Sequence, residues 1–202
     1  MNKKILGVYN LANSVTCLGV VFAVCAICLL GRDTSLSLVC LIISGVCDMF
    51  DGKVARMFDR TEMVKRYGIE IDSLADVVNF VLCPACVLIY VCGNNIISDV
   101  IGVLYVLSGL TRLAWFNITT DGAVKYYQGL PVTCSSFIVP FVYTFLYKIF
   151  AGISCADYIF MAFFLLMAGL FILNVKIKKL TGIWYVIFSV IAVITVGLLI
   201  VL

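Results

Sequence analysis

The stretch LSLVCLIISGVCDMFDGKVAR, Leu36–Arg56, decides how this chain is read. Its first twelve residues carry no charge and its last nine carry four, Asp48, Asp51, Lys53 and Arg56. An uninterrupted apolar run of this kind has the length of a membrane-crossing helix, so acids at its end sit where lipid gives way to headgroups. A little further on, GIEIDSLAD (Gly68–Asp76) supplies two more aspartates, this time leading into an apolar run. Asp48 and Asp51 are spaced i, i+3, and Asp72 and Asp76 are spaced i, i+4. Each pair therefore shares one helix face, and two antiparallel helix ends can aim four carboxylates at one volume. Such charges repel and are costly at membrane depth unless cations neutralise them, which makes the cluster a functional hypothesis. The ligand set is all oxygen, without His or Cys, and so favours hard ions such as Mg²⁺ or Mn²⁺ over Zn²⁺. Two such ions would clamp a phosphoryl group.

Outward from this centre the pattern repeats. Hydrophobic residues make up 64% of the 202 and charged residues 12%, a balance that excludes a water-soluble domain. Apolar runs recur at Leu11–Leu30, Leu36–Met57, Ile71–Cys92, Ile97–Phe116, Val132–Phe150, Tyr158–Leu173 and Ile183–Leu202. Continuous runs lack the alternation of barrel strands, and backbone groups in lipid must be satisfied within the segment, so the expectation is an all-α integral membrane bundle. No linker, repeat or removable signal peptide is visible, so residues 1–202 are expected to form a single transmembrane domain.

Orientation follows from the basic residues. With the N-terminus inside, Lys3, Lys4, Lys53, Arg56, Arg60, Lys65, Arg66, Arg112, Lys125, Lys176, Lys178 and Lys179 fall on the cytoplasmic side, and only Arg32 and Lys148 fall outside. This predicts a multi-pass protein of the cell membrane with its acidic cluster facing the cytoplasm. The formal net charge of +3 reports that topology and gives no case for nucleic acid. The pairs Cys25/Cys28 and Cys83/Cys86 have C-x-x-C spacing but lie inside apolar runs without His, and read as small buried hydrophobes.

The order Asp48-x-x-Asp51-Gly52-x-x-Ala55-Arg56, then Gly68-x-x-x-Asp72-x-x-x-Asp76, resembles the signature of the CDP-alcohol phosphotransferase family, and all eight positions match. The departure is the connection from Arg56 to Gly68, whose eleven residues make it longer than is usual there. The resemblance runs from about Asn13 to Asn174. The runs Asp72–Val78, Arg112–Asn117 and Gly129–Thr133 are most similar to the serine-using, membrane-integral branch of the family.

The resemblance implies a six-helix core with Ile183–Leu202 as an additional C-terminal span, a homodimer, and transfer of the phosphatidyl group from CDP-diacylglycerol to L-serine with release of CMP. It implies two divalent cations, Mg²⁺ or Mn²⁺, held by Asp48, Asp51, Asp72 and Asp76, with Asp76 also acting as general base. It places Gly52, Ala55, Arg56 and Gly68 against the cytidine diphosphate, with Asn13 and Thr16 closing over the nucleotide. Serine brings a carboxylate that a guanidinium matches with two parallel bonds, so Arg112 is the candidate acceptor or phosphate clamp. Lys125, Tyr126, Tyr127 and Gln128 read either as lining the same entrance or as an anchoring belt at the membrane interface. A separate class of enzyme reaches the same product through a covalent histidine intermediate, and these 202 residues contain no histidine.

Three other readings compete. A sister enzyme using glycerol 3-phosphate or an inositol phosphate would share the aspartate chemistry but ask for a denser basic cluster. A transporter would use intramembrane carboxylates as an ion site, yet inverted repeats are absent. Membrane prenyltransferases also use Asp-x-x-Asp and magnesium but lack the Gly-x-x-Ala-Arg continuation.

Overall fold

The computed structural model describes residues 7–93, 95–119, 126–174, 176–178 and 183–202, with side chains omitted at 126–128, 176–178 and 183–186. Lys3, Lys4, Lys125 and Lys179 therefore lie outside the described residues. The elements in chain order are α1 (Leu11–Leu29), α2 (Thr34–Ala55), α3 (Glu62–Asp76), a π-helical stretch (Val77–Leu82), α4 (Cys83–Val91), α5 (Ile96–Thr119), β1 (Tyr126–Gln128), a 3₁₀ turn (Val132–Cys134), α6 (Ser135–Tyr143), a second π-helical stretch (Thr144–Ile149), α7 (Ala156–Ile172), β2 (Lys176–Lys178) and α8 (Ile183–Val201).

Every apolar run seen in the sequence is a helix. Five segments, Leu11–Leu29, Thr34–Ala55, Glu62–Val91, Ile96–Thr119 and Val132–Ile149, are long and apolar enough to cross a membrane. The chain is a multi-pass membrane protein, and most of its exposed residues on α1, α5 and α7 are apolar, as lipid-facing surfaces require. α1 and α2 form the most extensive helix pair, and α5 packs along α7. α8 lies against α2 and α6.

One boundary differs from the sequence reading. The third span begins at Glu62, nine residues ahead of Ile71, and continues through the π-helical stretch to Val91 as one segment of 30 residues. At 1.5 Å per residue that is roughly 45 Å, more than the hydrocarbon needs. Hydropathy marks where the apolar run begins, whereas the helix starts earlier, among polar residues. Its first turn there carries an exposed i, i+4 pair, Arg66 Nε to Glu62 Oε1 at 3.7 Å, whose type contributes only a few tenths of a kcal/mol.

The core is aromatic. Tyr105, Phe80, Phe160, Phe164 and Phe171 are wholly or almost wholly buried, and the Tyr105 ring meets Phe164 and Phe171 with centroids 5.0 and 5.2 Å away. The π-helical stretch explains how a polar group is kept there. Pro84 has no N–H to give the carbonyl of Phe80, four residues earlier, which would leave an unpaired acceptor in an apolar interior. Two hydroxyls take the role: Tyr105 Oη donates to Phe80 O at 2.9 Å, and Ser135 Oγ, also 2.9 Å from it, shares its one proton with Val132 O at 2.6 Å. α5 comes close enough for this because residue 109 is glycine; a β-carbon there would sit 2.8 Å from Val81 Cγ2.

The short strands β1 and β2 pair antiparallel, Tyr126 with Lys178 and Gln128 with Lys176. They tie the connection before α6 to the one after α7. This pairing was not foreseen from composition, because three-residue strands leave no periodic signal.

Candidate active site

The start of α1, the end of α2 and the length of α3 meet around one polar region. α1 starts there because Asn10 accepts from the Asn13 backbone N–H at 2.8 Å, an N-cap bond. The Asn13 side chain in turn donates to Val8 O at 2.8 Å, which folds the preceding chain back over the helix start.

Asp48 on α2 and Asp72 and Asp76 on α3 each bring a carboxylate oxygen to within 4.8 Å of the others. The two spacings read from the sequence produce this convergence. Among the described residues this is the one group of three or more such side chains that could hold a metal ion. Asp76 Oδ1 is buried and has no hydrogen-bond partner, a state that costs free energy in an apolar setting unless another group binds there. An all-oxygen donor set and an orphaned carboxylate oxygen fit a hard divalent cation.

Asp51 adjoins this group, its carboxylate in hydrogen-bond contact with that of Asp72. It is 7% exposed and accepts from Thr16 Oγ1 at 2.8 Å, a bond joining α1 to α2. It lines a cavity of about 300 Å³ together with Asn13, Thr16, Gly52, Ala55, Arg56, Gly68 and Asp72. All the positions assigned from sequence to the nucleotide thus border one cavity, and Asp72 belongs both to it and to the carboxylate group. The glycines matter sterically. A β-carbon on Gly52 would lie 3.8 Å from Arg56 Nη1, and one on Gly68 would lie 3.5 Å from Arg60 Nη1 and 3.6 Å from Asn13 Oδ1. Side chains at those two positions would project into the volume these polar groups surround.

Arg112, on α5, does not border this cavity. It is 7% exposed, lies 5.2 Å above the Phe116 ring, and is near enough to Asp76 to interact with its charge. Tyr126–Gln128 form β1.

Sequence reasoning passed over two features. Ser73 and Asn117 bond reciprocally, Asn117 Nδ2 to Ser73 Oγ at 2.9 Å and Ser73 Oγ to Asn117 Oδ1 at 3.2 Å, fixing α3 against α5 beside the acids. Asn79, one turn beyond Asp76, is 3% exposed with Oδ1 unpartnered. Its signal was an amide alone within the apolar run Val77–Leu82.

The sequence pattern of the CDP-alcohol phosphatidyltransferase family matches residues 9–175. Among curated proteins the chain is similar to a CDP-diacylglycerol–serine O-phosphatidyltransferase of Helicobacter pylori, 30% identical over 139 residues, covering 67% of this chain and 57% of that protein. One of the same name from Saccharomyces cerevisiae is 38% identical over 100 residues, 45% of this chain and 35% of the relative. An archaetidylserine synthase of Methanothermobacter thermautotrophicus is 38% identical over 125 residues, 57% and 52% of the two chains. The matched region thus spans little more than half the length of these relatives, or less.

Proposed function

The chain belongs to the CDP-alcohol phosphatidyltransferase family, and on that premise we propose that it transfers the phosphatidyl group of CDP-diacylglycerol to the hydroxyl of L-serine, giving phosphatidylserine and CMP. The observation that carries the reading is the convergence of Asp48, Asp72 and Asp76 within 4.8 Å beside a cavity floored by Gly52 and Gly68. The names of the relatives support serine: the bacterial and yeast proteins share one name and the archaeal one is an archaetidylserine synthase, and all three names contain that acceptor.

In this reading Asp48, Asp51, Asp72 and Asp76 hold two divalent cations, Mg²⁺ or Mn²⁺. When bound, such ions neutralise the diphosphate and offset charge developing on departing CMP. The protein's own part is positioning and one proton transfer. Gly52, Ala55, Arg56 and Gly68 seat the CDP group, with Asn13 and Thr16 at its nucleotide end. Serine's hydroxyl is a poor nucleophile at neutral pH and needs a base. Asp76 takes that proton on its carboxylate, while Arg112, from the adjacent helix, receives the serine carboxylate or a phosphate. The reaction is a direct in-line displacement at phosphorus, with CMP leaving as the serine oxygen arrives.

The asymmetry of Lys and Arg supports a cytoplasmic site in the cell membrane. The same reading takes residues 1–202 as one transmembrane catalytic domain, with α8 added to a six-helix core, that works as a homodimer. The test is release of CMP from CDP-diacylglycerol by purified protein with Mn²⁺ or Mg²⁺. Release is expected with L-serine and not with glycerol 3-phosphate or inositol phosphate, and Asp76→Asn should lower it by roughly 10²–10⁴-fold, the range of a lost general base. Release with a phosphorylated acceptor alone would discard serine.

A further inference from the structure

The long connection between α2 and α3 puts a second guanidinium at the cavity. Arg56 closes α2, its N–H bonded to Lys53 O, and its guanidinium stands over Gly52. Arg60, four residues later, is half-buried and stands over Gly68 in the same manner. Each glycine of the floor is thus faced by one arginine, and both arginines line the cavity. Among the described residues, Arg60 has no hydrogen-bond or ion-pair partner, so its donors are committed to nothing in the fold. Arg56 falls within the family signature, whereas Arg60 does not.

Its position determines what it would meet. Gly68 precedes Asp72 by one helical turn, which puts it about 6 Å further toward the inner surface than the carboxylates. A CDP group whose phosphates lie at Asp48, Asp72 and Asp76 presents its nucleoside at the level of Gly68, between Asn13 and Arg60. We infer that Arg60 is a nucleoside-binding residue that closes over the cytidine of the CDP group opposite Asn13. The planar guanidinium suits this because it can stack on a base and also donate in-plane hydrogen bonds, which an ammonium cannot do.

This rests on the CDP reading above, and the experiment separates the two. Binding of CMP and of inorganic pyrophosphate, each with Mg²⁺, is measured by calorimetry on the full chain in detergent for wild type, Arg60→Ala and Arg60→Lys. Arg60→Ala should weaken CMP roughly tenfold or more, Arg60→Lys should fail to restore it, and pyrophosphate should bind all three alike. In turnover, the loss should appear in KM for CDP-diacylglycerol rather than in kcat or in KM for the acceptor. Equal CMP affinity in wild type and Arg60→Ala, or an equal loss for pyrophosphate, would overturn the role of Arg60. Absence of CMP binding by the wild type would instead overturn the CDP reading itself. A wild-type melting temperature in Arg60→Lys confirms that a loss reports binding and not folding.

Discussion

The two ends of the bundle treat a carboxylate in opposite ways. At one end, Asp157 at the start of α7 is met by Tyr147, whose hydroxyl donates to Oδ1 at 2.7 Å. At the other, Asp48, Asp72 and Asp76 turn toward one another, and Asp76 Oδ1 has no partner. One turn past Asp76 the contrast recurs within a single segment, since the Phe80 carbonyl left over by Pro84 receives two hydroxyls. Where the fold needs a buried oxygen for itself, it supplies a donor. Where it gathers carboxylates and leaves one oxygen of Asp76 without a donor, it leaves room for a cation.

The sharpest way to break this comparison is to ask what fills the carboxylate site. Mn²⁺ at about a hundred times its dissociation constant should stabilise the wild type by ~2.7 kcal/mol, read as a rise in melting temperature. Asp72→Asn should abolish most of that rise, and an undiminished rise would mean that the ions bind elsewhere. The satisfied side is tested by packing. Gly109→Ala pushes a β-carbon against Val81 and should cost about 1–3 kcal/mol in chemical denaturation, separating α5 from the Phe80 carbonyl. Tyr105→Phe removes one of that carbonyl's two donors and should cost about 1 kcal/mol, with a larger loss when combined with Ser135→Ala. The smallest effect belongs to Asp157→Asn, which keeps an acceptor for Tyr147 at the exposed end. It should change stability by less than about 1 kcal/mol and leave CMP release untouched. A large loss of activity there would erase the distinction between the two ends.

Much of this was legible in the sequence because the membrane simplifies the code. Apolar run length alone placed the helices, and the i, i+3 and i, i+4 spacings of the aspartates placed their carboxylates on facing surfaces. The gathering of Asn13, Thr16, Gly52 and Gly68 at one cavity followed only from resemblance, since nothing in their spacing brings α1 beside α3. What was not legible depends on how distant segments meet. Besides meeting Asp72, Asp51 accepts a hydrogen bond from Thr16 on another helix. From sequence, Arg60 reads equally as attraction for the anionic nucleotide lipid and as ordinary cytoplasmic charge; the connection that carries it over Gly68 separates the two. The start of the third helix at Glu62 was missed because charged residues end an apolar run without ending a helix.

The π-helical stretch Val77–Leu82 has one further consequence. A widened turn absorbs a residue that a regular helix would convert into about 100° of rotation. The segment from Glu62 to Val91 thus carries two angular phases. The part before the stretch is clocked to the carboxylates of α2, and the part after it is clocked to the aromatic interior of α5 and α7. A uniform helix would have to choose one of these alignments, and the irregular turn lets a single segment serve both the chemistry and the packing.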